Sequence, residues 1–392
     1  MKNAESYLSD LIKTIPPSGI RKFFDLASTI EGVISLGVGE PDFDTPSHIR
    51  DEAISAIQSG KTFYTANTGL PELRRQIAAY LKRRFDLNYQ WQNQIIATVG
   101  GSEAIDITMR TLLNPSDEVI CCSPGYVAYE PCIRLAQGEP VLIELKEENQ
   151  FKLTCEDLKK ALSPKTKAIL INFPGNPTGG IMTKADFEPL VKVIKESGIL
   201  VITDEIYAEL TYDEEHCSIA WFEEIKDQVI LISGFSKAYS MTGWRLGYLC
   251  AHETFVAAMN KVHQYAIMCP PTISQYAGIE ALRRGDEVVQ EMKASFEMRR
   301  NSIVKGLNRI GLKCHFPQGA FYVFPSIQCT GLSSDEFCEK LLQEEKVAVV
   351  PGNAFGSSGE GFVRISYAYS INEIEEALKR MERFMKRLNN KV

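Results

Sequence analysis

No run of about 18 or more apolar residues occurs anywhere in the sequence, so no membrane-spanning helix and no membrane partner are expected. No Cys-x-x-Cys pair occurs either, which removes the zinc-knuckle and thioredoxin-like signatures. Ten cysteines in 392 residues are too sparse for a disulfide-built scaffold; they read as reduced, buried thiols of a cytoplasmic protein. Histidine is scarce. His48, His216, His252, His263 and His315 stand alone, with no pair at helical ligand spacing, so no metal site is expected. Basic residues are in deficit, 43 Lys and Arg against 50 Asp and Glu, and a formal net charge of -7 weighs against a nucleic-acid partner. The opening stretch, MKNAESYLSDLIK, lacks the apolar centre of a signal peptide. Repeats, low-complexity tracts and long linkers are also missing.

What is present suits a sizeable globular core: 44% hydrophobic and 24% charged residues in a chain long enough for two domains. Short apolar runs recur at Ile95–Val99, Val119–Cys122, Ala168–Asn172, Ile199–Thr203 and Val229–Ser233. Each is almost continuously apolar, as strands of a parallel sheet covered on both faces are. Amphipathic helical stretches separate them. In one, Thr183 is an N-cap with Asp186 three residues on, as in a capping box. Phe187, Leu190, Val191 and Ile194 then form one apolar face and Gly198 stops the helix. The result is a β-α-β unit and an α/β fold. Beyond Gly285 helices dominate, at Asp286–Leu307, Ser334–Glu344 and Asn372–Leu388, with short strands at Ala320–Phe324 and Gly361–Ser366. The expected organisation is a large domain over residues 45–285, with residues 1–44 and 286–392 forming a smaller α+β domain.

Open α/β sheets bind ligands at the carboxyl ends of their strands, and four strand ends carry unusual chemistry. Gly100-Gly101-Ser102 follows the first run and opens a helix, whose free N–H groups suit an anion such as phosphate. By itself this could be a plain turn. Phe173-Pro-Gly-Asn176-Pro-Thr-Gly179 is too densely specified for an ordinary loop. Asp204-Glu-Ile-Tyr207 puts a carboxylate at the mouth of a buried strand, either as a helix cap or as the counter-ion of a bound positive group. Ser236-Lys237 follows the last run, where desolvation would lower the lysine pKa and make it a better nucleophile. Arg245 comes eight residues later, with Gly243 and Gly247 on either side.

The order Asn176-Pro-x-Gly, Asp204-x-x-Tyr207, Ser236-Lys237, Arg245 and Arg364 resembles the class I/II aminotransferases of fold type I. The resemblance runs from Gly37-Val38-Gly39-Glu40-Pro41 to Arg364-Ile-Ser-Tyr-Ala368. It is nearest to the prokaryotic aspartate and aromatic branch, with Ser18-Gly-Ile-Arg-Lys22 and Gly319-Ala-Phe-Tyr322 resembling aromatic aminotransferases. It implies a mostly parallel seven-stranded sheet sandwiched by helices, plus the smaller α+β domain, and pyridoxal 5'-phosphate as cofactor. By resemblance, Lys237 bonds covalently to the cofactor aldehyde and later moves a proton. Asp204 meets the pyridine nitrogen; Tyr207 and Asn176 meet the ring 3-oxygen. Arg245, Gly101, Ser102 and Ser236 cradle the phosphate, although Gly234 stands where some relatives carry a phosphate-binding serine. Tyr126 stacks on the ring, and Tyr64 reaches the phosphate of a neighbouring subunit, which implies a homodimer. Arg364 grips the substrate α-carboxylate in a bidentate pair, with Gly39 and Asn176 beside it.

The resemblance implies ping-pong transamination between an L-amino acid and a 2-oxo acid such as 2-oxoglutarate. A carbon–sulfur lyase would use the same Lys237, Asp204 and Arg364. A regulatory cofactor-binding module would carry a DNA-binding segment, and none is seen before Ser18. Some aspartate-specific relatives place lysine just after the glycine pair, where this chain has Ser102. That favours an aromatic donor over aspartate or broad specificity, with an apolar lid expected from Gly19–Ile20 and Val38.

Overall fold

Local signals set where the helices begin and end. Thr183 accepts from the Asp186 N–H while the Asp186 carboxylate accepts from the Thr183 N–H, and this reciprocal pair opens the helix Lys184–Ser197. Gly198, at φ +70°, closes it in the left-handed region that glycine tolerates best. The same device, Ser333 with Glu336, opens Ser334–Glu345. The computed structural model describes residues 3–17, 19 and 30–389.

Twelve strands occur among the described residues. β1 (Ile34–Ser35) is followed by β2 (Ile95–Thr98), β3 (Glu118–Ser123), β4 (Glu139–Glu144), β5 (Thr166–Asn172), β6 (Leu200–Asp204), β7 (Val229–Gly234) and β8 (Gly247–Cys250). β2 to β8 form one seven-stranded sheet in the order β2-β8-β7-β6-β5-β3-β4. The five strands from β3 to β7 are parallel, whereas β8 runs antiparallel to both β7 and β2. The apolar run at Ile95 therefore forms an edge strand reached through an antiparallel neighbour, not part of the parallel run expected of it. It is buried nonetheless, because helices cover it.

Alternation along the strands divides the core in two. Ile169, Val201 and Leu231 face one side with Phe187 and Leu190 of the Lys184–Ser197 helix. Leu170, Ile202 and Ile230 face the other with Ile105 and Met109 of the helix Gly100–Leu112. Each such aliphatic side chain taken wholly out of water contributes about 1.5–3 kcal/mol.

The remaining strands are β9 (Tyr322–Val323), β10 (Val347–Ala348), β11 (Val350–Pro351) and β12 (Val363–Ser366). β11-β12-β9 make an antiparallel sheet, and β1 pairs in parallel with β10. Phe296, Phe337 and Phe384, from the helices Asp286–Arg309, Ser334–Glu345 and Ile371–Asn389, fill the core over this sheet together with Leu36. Tyr207, Leu210 and Tyr212, which follow β6, also belong to that core and tie it to the large sheet. The first helix, Asp10–Thr14, lies instead beside the helix Tyr129–Leu135.

Candidate active site

β5, β6 and β7 end side by side, at Asn172, Asp204 and Gly234. β12 brings Arg364 to the same place from the smaller sheet. Between them lies a cavity of about 280 Å³, lined by Gly39, Gly101, Ser102, Tyr126, Asn176, Asp204, Tyr207, Ser236, Lys237, Arg245 and Arg364. Residues from seven separate stretches of chain thus converge on one space. Of the residues given a cofactor or α-carboxylate role in the sequence, Tyr64 alone lies elsewhere, 81% exposed on the surface beside Phe63; Val38, expected in the lid, does not line this cavity either.

Two opposite charges in the cavity are both pushed towards neutrality. Asp204 is buried, and desolvation lifts its carboxyl from 3.8 to about 6. Hydrogen bonds restrain the rise: the Tyr129 hydroxyl donates to Oδ2 at 2.8 Å and the Ile206 N–H to Oδ1 at 3.1 Å. The Ile206 contact is a local turn; the short helix that follows, Ala208–Leu210, has Tyr207 and not Asp204 at its N-cap, so Asp204 lines the cavity without capping a helix. Lys237 has its amine lowered from 10.5 to about 8, first by burial and then by the positive charges of Arg364 and Arg245. Its Nζ donates to the Gly39 carbonyl at 2.6 Å.

Arg364 is 3% exposed. Its Nη1 donates to Asn176 Oδ1 at 3.0 Å, and its Nη2 to the Gly37 carbonyl. The rings of Tyr322 and Phe355 flank the guanidinium, with centroids 4.5 and 4.7 Å from Cζ. Nε is buried with no hydrogen-bond partner among the described residues, so one donor of the fork is left unmatched there. Asn176 is itself fixed: its N–H donates to Asn172 Oδ1 at 3.0 Å, and Asn172 Nδ2 donates to the Asp204 carbonyl at 2.8 Å.

On the opposite wall, Arg245 sits at φ +49° and donates from Nη1 to the Thr242 carbonyl at 2.9 Å. Gly100, at φ +73°, leaves the guanidinium its space; a Cβ there would lie 2.6 Å from Arg245 Nη2. Gly247 presses on the same turn, its Cβ direction 2.8 Å from the Gly101 nitrogen. Gly101, Ser102, Ser236 and Arg245 thus form a pocket wall of N–H, hydroxyl and guanidinium donors suited to an anion.

Three of the cavity residues that carried no role in the sequence reading hold others in place. Tyr129 holds Asp204, Asn172 holds Asn176, and Tyr322 pairs its hydroxyl with that of Tyr207 at 2.9 Å. A Tyr126-x-x-Tyr129 spacing was the only local trace of the first. Gly39 makes room for Tyr322, whose hydroxyl would stand 2.3 Å from a Cβ at that position. Gly19 lies against Ala354 and borders a second cavity, while Ile20 falls outside the described residues.

Comparison with known proteins agrees with this geometry. The family described as aminotransferase class I and II matches residues 31–381. The chain is 46% identical to aromatic-amino-acid aminotransferase 2 of Thermococcus litoralis, over 97% of this chain and 98% of that one. It is 44% identical to an aspartate aminotransferase of Pyrococcus abyssi, with the same coverage of each. The solved structure of an aromatic aminotransferase from Pyrococcus horikoshii superposes with a TM-score of 0.89 at 42% identity, covering 94% of this chain and 99% of that one. The chain belongs to the class I and II aminotransferases.

Proposed function

We propose that this aminotransferase uses pyridoxal 5'-phosphate, works as a homodimer, and passes amino groups from an aromatic L-amino acid to 2-oxoglutarate by a ping-pong route. The observation that carries the reading is the pairing of a lysine near 8 with a buried carboxylate near 6 in one cavity. The donor set fits the cofactor. Arg245 and the Gly101–Ser102 turn would hold its phosphate, Tyr126 would stack on its ring, and Tyr207 with Asn176 would meet its 3-oxygen. Asp204, ionised at neutral pH, would keep its ring nitrogen protonated. When bound, the cofactor supplies an electron sink for negative charge formed at the substrate α-carbon.

The chain's own groups do the rest. Lys237, with its amine near 8, is in part unprotonated in mildly alkaline solution and can take the α-proton and return it on the other side of the exchange. Arg364 keeps Nε and an outer N–H for an α-carboxylate, a two-point grip that also orients the Cα–H bond. The rings of Tyr322 and Phe355 exclude water from that grip and strengthen it.

Several features support an aromatic donor. Ser102, not lysine, stands in the cavity wall. A second cavity of about 560 Å³ shares Tyr126 and Tyr129 with the first and is lined largely by apolar groups, among them Ile15, Val127, Leu142 and Phe355. Burying a Phe-sized side chain gains about 1.5–3 kcal/mol. For the dimer, the support is an exposed apolar surface: Phe63, Tyr64 and Tyr265 are 80%, 81% and 88% exposed. Relatives named for aspartate leave that donor as the competing reading. The test is kcat/KM for tyrosine, phenylalanine and aspartate with 2-oxoglutarate, on the natural chain and on Ser102→Lys. The aromatic donors should lead in the natural chain, and aspartate should gain in the variant. A tenfold or greater lead for aspartate in the natural chain would overturn the aromatic assignment.

A further inference from the structure

His263, in the helix Glu253–Ala266, is fully buried and lies outside the cavity. Both its ring nitrogens are engaged. Nδ1 is 2.6 Å from Glu103 Oε1, and Nε2 is 2.8 Å from the Asn67 carbonyl oxygen. A carbonyl only accepts, so Nε2 carries a hydrogen. A carboxylate also only accepts, so the Nδ1 contact holds a further proton, on the ring or on the carboxyl. The other oxygen of Glu103 accepts the N–H of Val99, the residue that opens the Gly100–Leu112 helix. Val99 has no side-chain cap to offer; Glu103 fixes this turn together with Thr98, whose hydroxyl donates to the Gly100 carbonyl at 2.9 Å.

The second arm of His263 reaches the loop that carries Tyr64. Asn67 donates its side-chain amide to the Met268 carbonyl at 2.8 Å, and the Thr68 carbonyl accepts from the Ala97 N–H at 3.0 Å. One imidazole therefore bridges the turn at Gly100–Ser102 and the loop at Asn67.

We propose that His263 is a positioning residue for cofactor phosphate: through Glu103 it sets the cradle of its own subunit, and through Asn67 it sets the loop that offers Tyr64 to the partner. This rests on the cofactor and dimer reading given above. The physical need is plain. Glu103 is an acid in the first turn of a helix whose N-terminus would face a phosphate, and like charges there repel. The proton shared with His263 offsets that charge, and the two hydrogen bonds keep the carboxylate turned back towards Val99.

The test compares pyridoxal phosphate with pyridoxal, which lacks the phosphate, by titrating cofactor-free protein and following the absorption of the covalently held ligand. His263→Ala should weaken pyridoxal phosphate about tenfold or more, equivalent to about 1.4 kcal/mol or more, and leave pyridoxal nearly unchanged. Equal weakening of both ligands by His263→Ala, or of neither, overturns the proposal. Should His263→Ala fail to fold, His263→Asn, too short to serve both partners, decides by the same ratio. Natural protein that binds neither ligand covalently overturns the cofactor reading itself; natural binding with an unmoved ratio overturns only the role of His263.

Discussion

Replacing Asp204 by Asn separates what this side chain does for catalysis from what it costs the fold. The swap preserves shape. Asn Oδ1 can still accept from the Ile206 N–H, and the Tyr129 hydroxyl can turn to accept from Nδ2 at the contact now spanning 2.8 Å. Only the charge is lost. Because folding raises the carboxyl from 3.8 to about 6, the folded protein holds a proton that the unfolded chain has released over that interval. The neutral acid's advantage is fully present below about pH 4 and is lost as pH rises through 6. At about 1.4 kcal/mol per pH unit, ionised Asp204 costs the cofactor-free fold on the order of 3 kcal/mol at neutral pH. With an unfolding entropy of about 2 cal/mol/K per residue over 392 residues, Asp204→Asn should raise the Tm of cofactor-free protein by roughly 4 °C at neutral pH. The gain should vanish near pH 4. Turnover of the loaded enzyme should fall by a factor of about 100 or more, since aimed charges in a water-poor site are worth several kcal/mol to a transition state. Paired melting curves at acid and neutral pH, with single-turnover rates, measure both. An unchanged or lowered neutral-pH Tm would refute the desolvation argument, and near-natural rates would reduce Asp204 to its turn contact with Ile206.

Three further outcomes follow from the same geometry. Lys237→Ala should lose the absorption of covalently held cofactor and nearly all turnover; a borohydride-reducible bond surviving in that variant would identify another lysine as the anchor. Gly39→Ala would put a methyl against the Tyr322 hydroxyl, and the forced shift of the Tyr322–Tyr207 pair should destabilise the fold by about 1–3 kcal/mol and lower kcat/KM; unaltered stability and kcat/KM would show that Tyr322 yields freely. Tyr64→Phe should weaken cofactor binding by about 1.5–3 kcal/mol, the worth of a hydrogen bond to a charged group, with the monomer fold intact, and sedimentation of the active natural species as a monomer would contradict the shared site.

Local chemistry by itself determined a good deal of this protein. The capping pair Thr183–Asp186 and the stop at Gly198 depend on contacts within one turn, so the helix bounds were legible. The strands at Ala168, Ile199 and Val229 were legible because burial on both faces leaves a continuous apolar run. The residues now around the cavity stood out as glycine, proline and charged groups at strand ends, where a parallel sheet opens its ligand crevice. β4 escaped because an edge strand, half exposed and mixed in polarity, leaves no such run. β8 escaped because it opens on Gly247, a residue that weakens a strand signal, and its reversed direction, with that of β2 beside it, is a matter of pairing alone. Tertiary structure alone decided which groups meet in the site and how far each is desolvated. The lowered amine of Lys237 and the raised carboxyl of Asp204 come from desolvation by groups far along the chain. The cage of Arg364 joins Gly37, Asn176, Tyr322 and Phe355, and the bridge through His263 joins Asn67 to Glu103. Hydrogen bonds and desolvation act over a few ångströms of space, so partners as far apart in the chain as Gly37 and Arg364, or Asn67 and His263, leave no periodic trace in sequence.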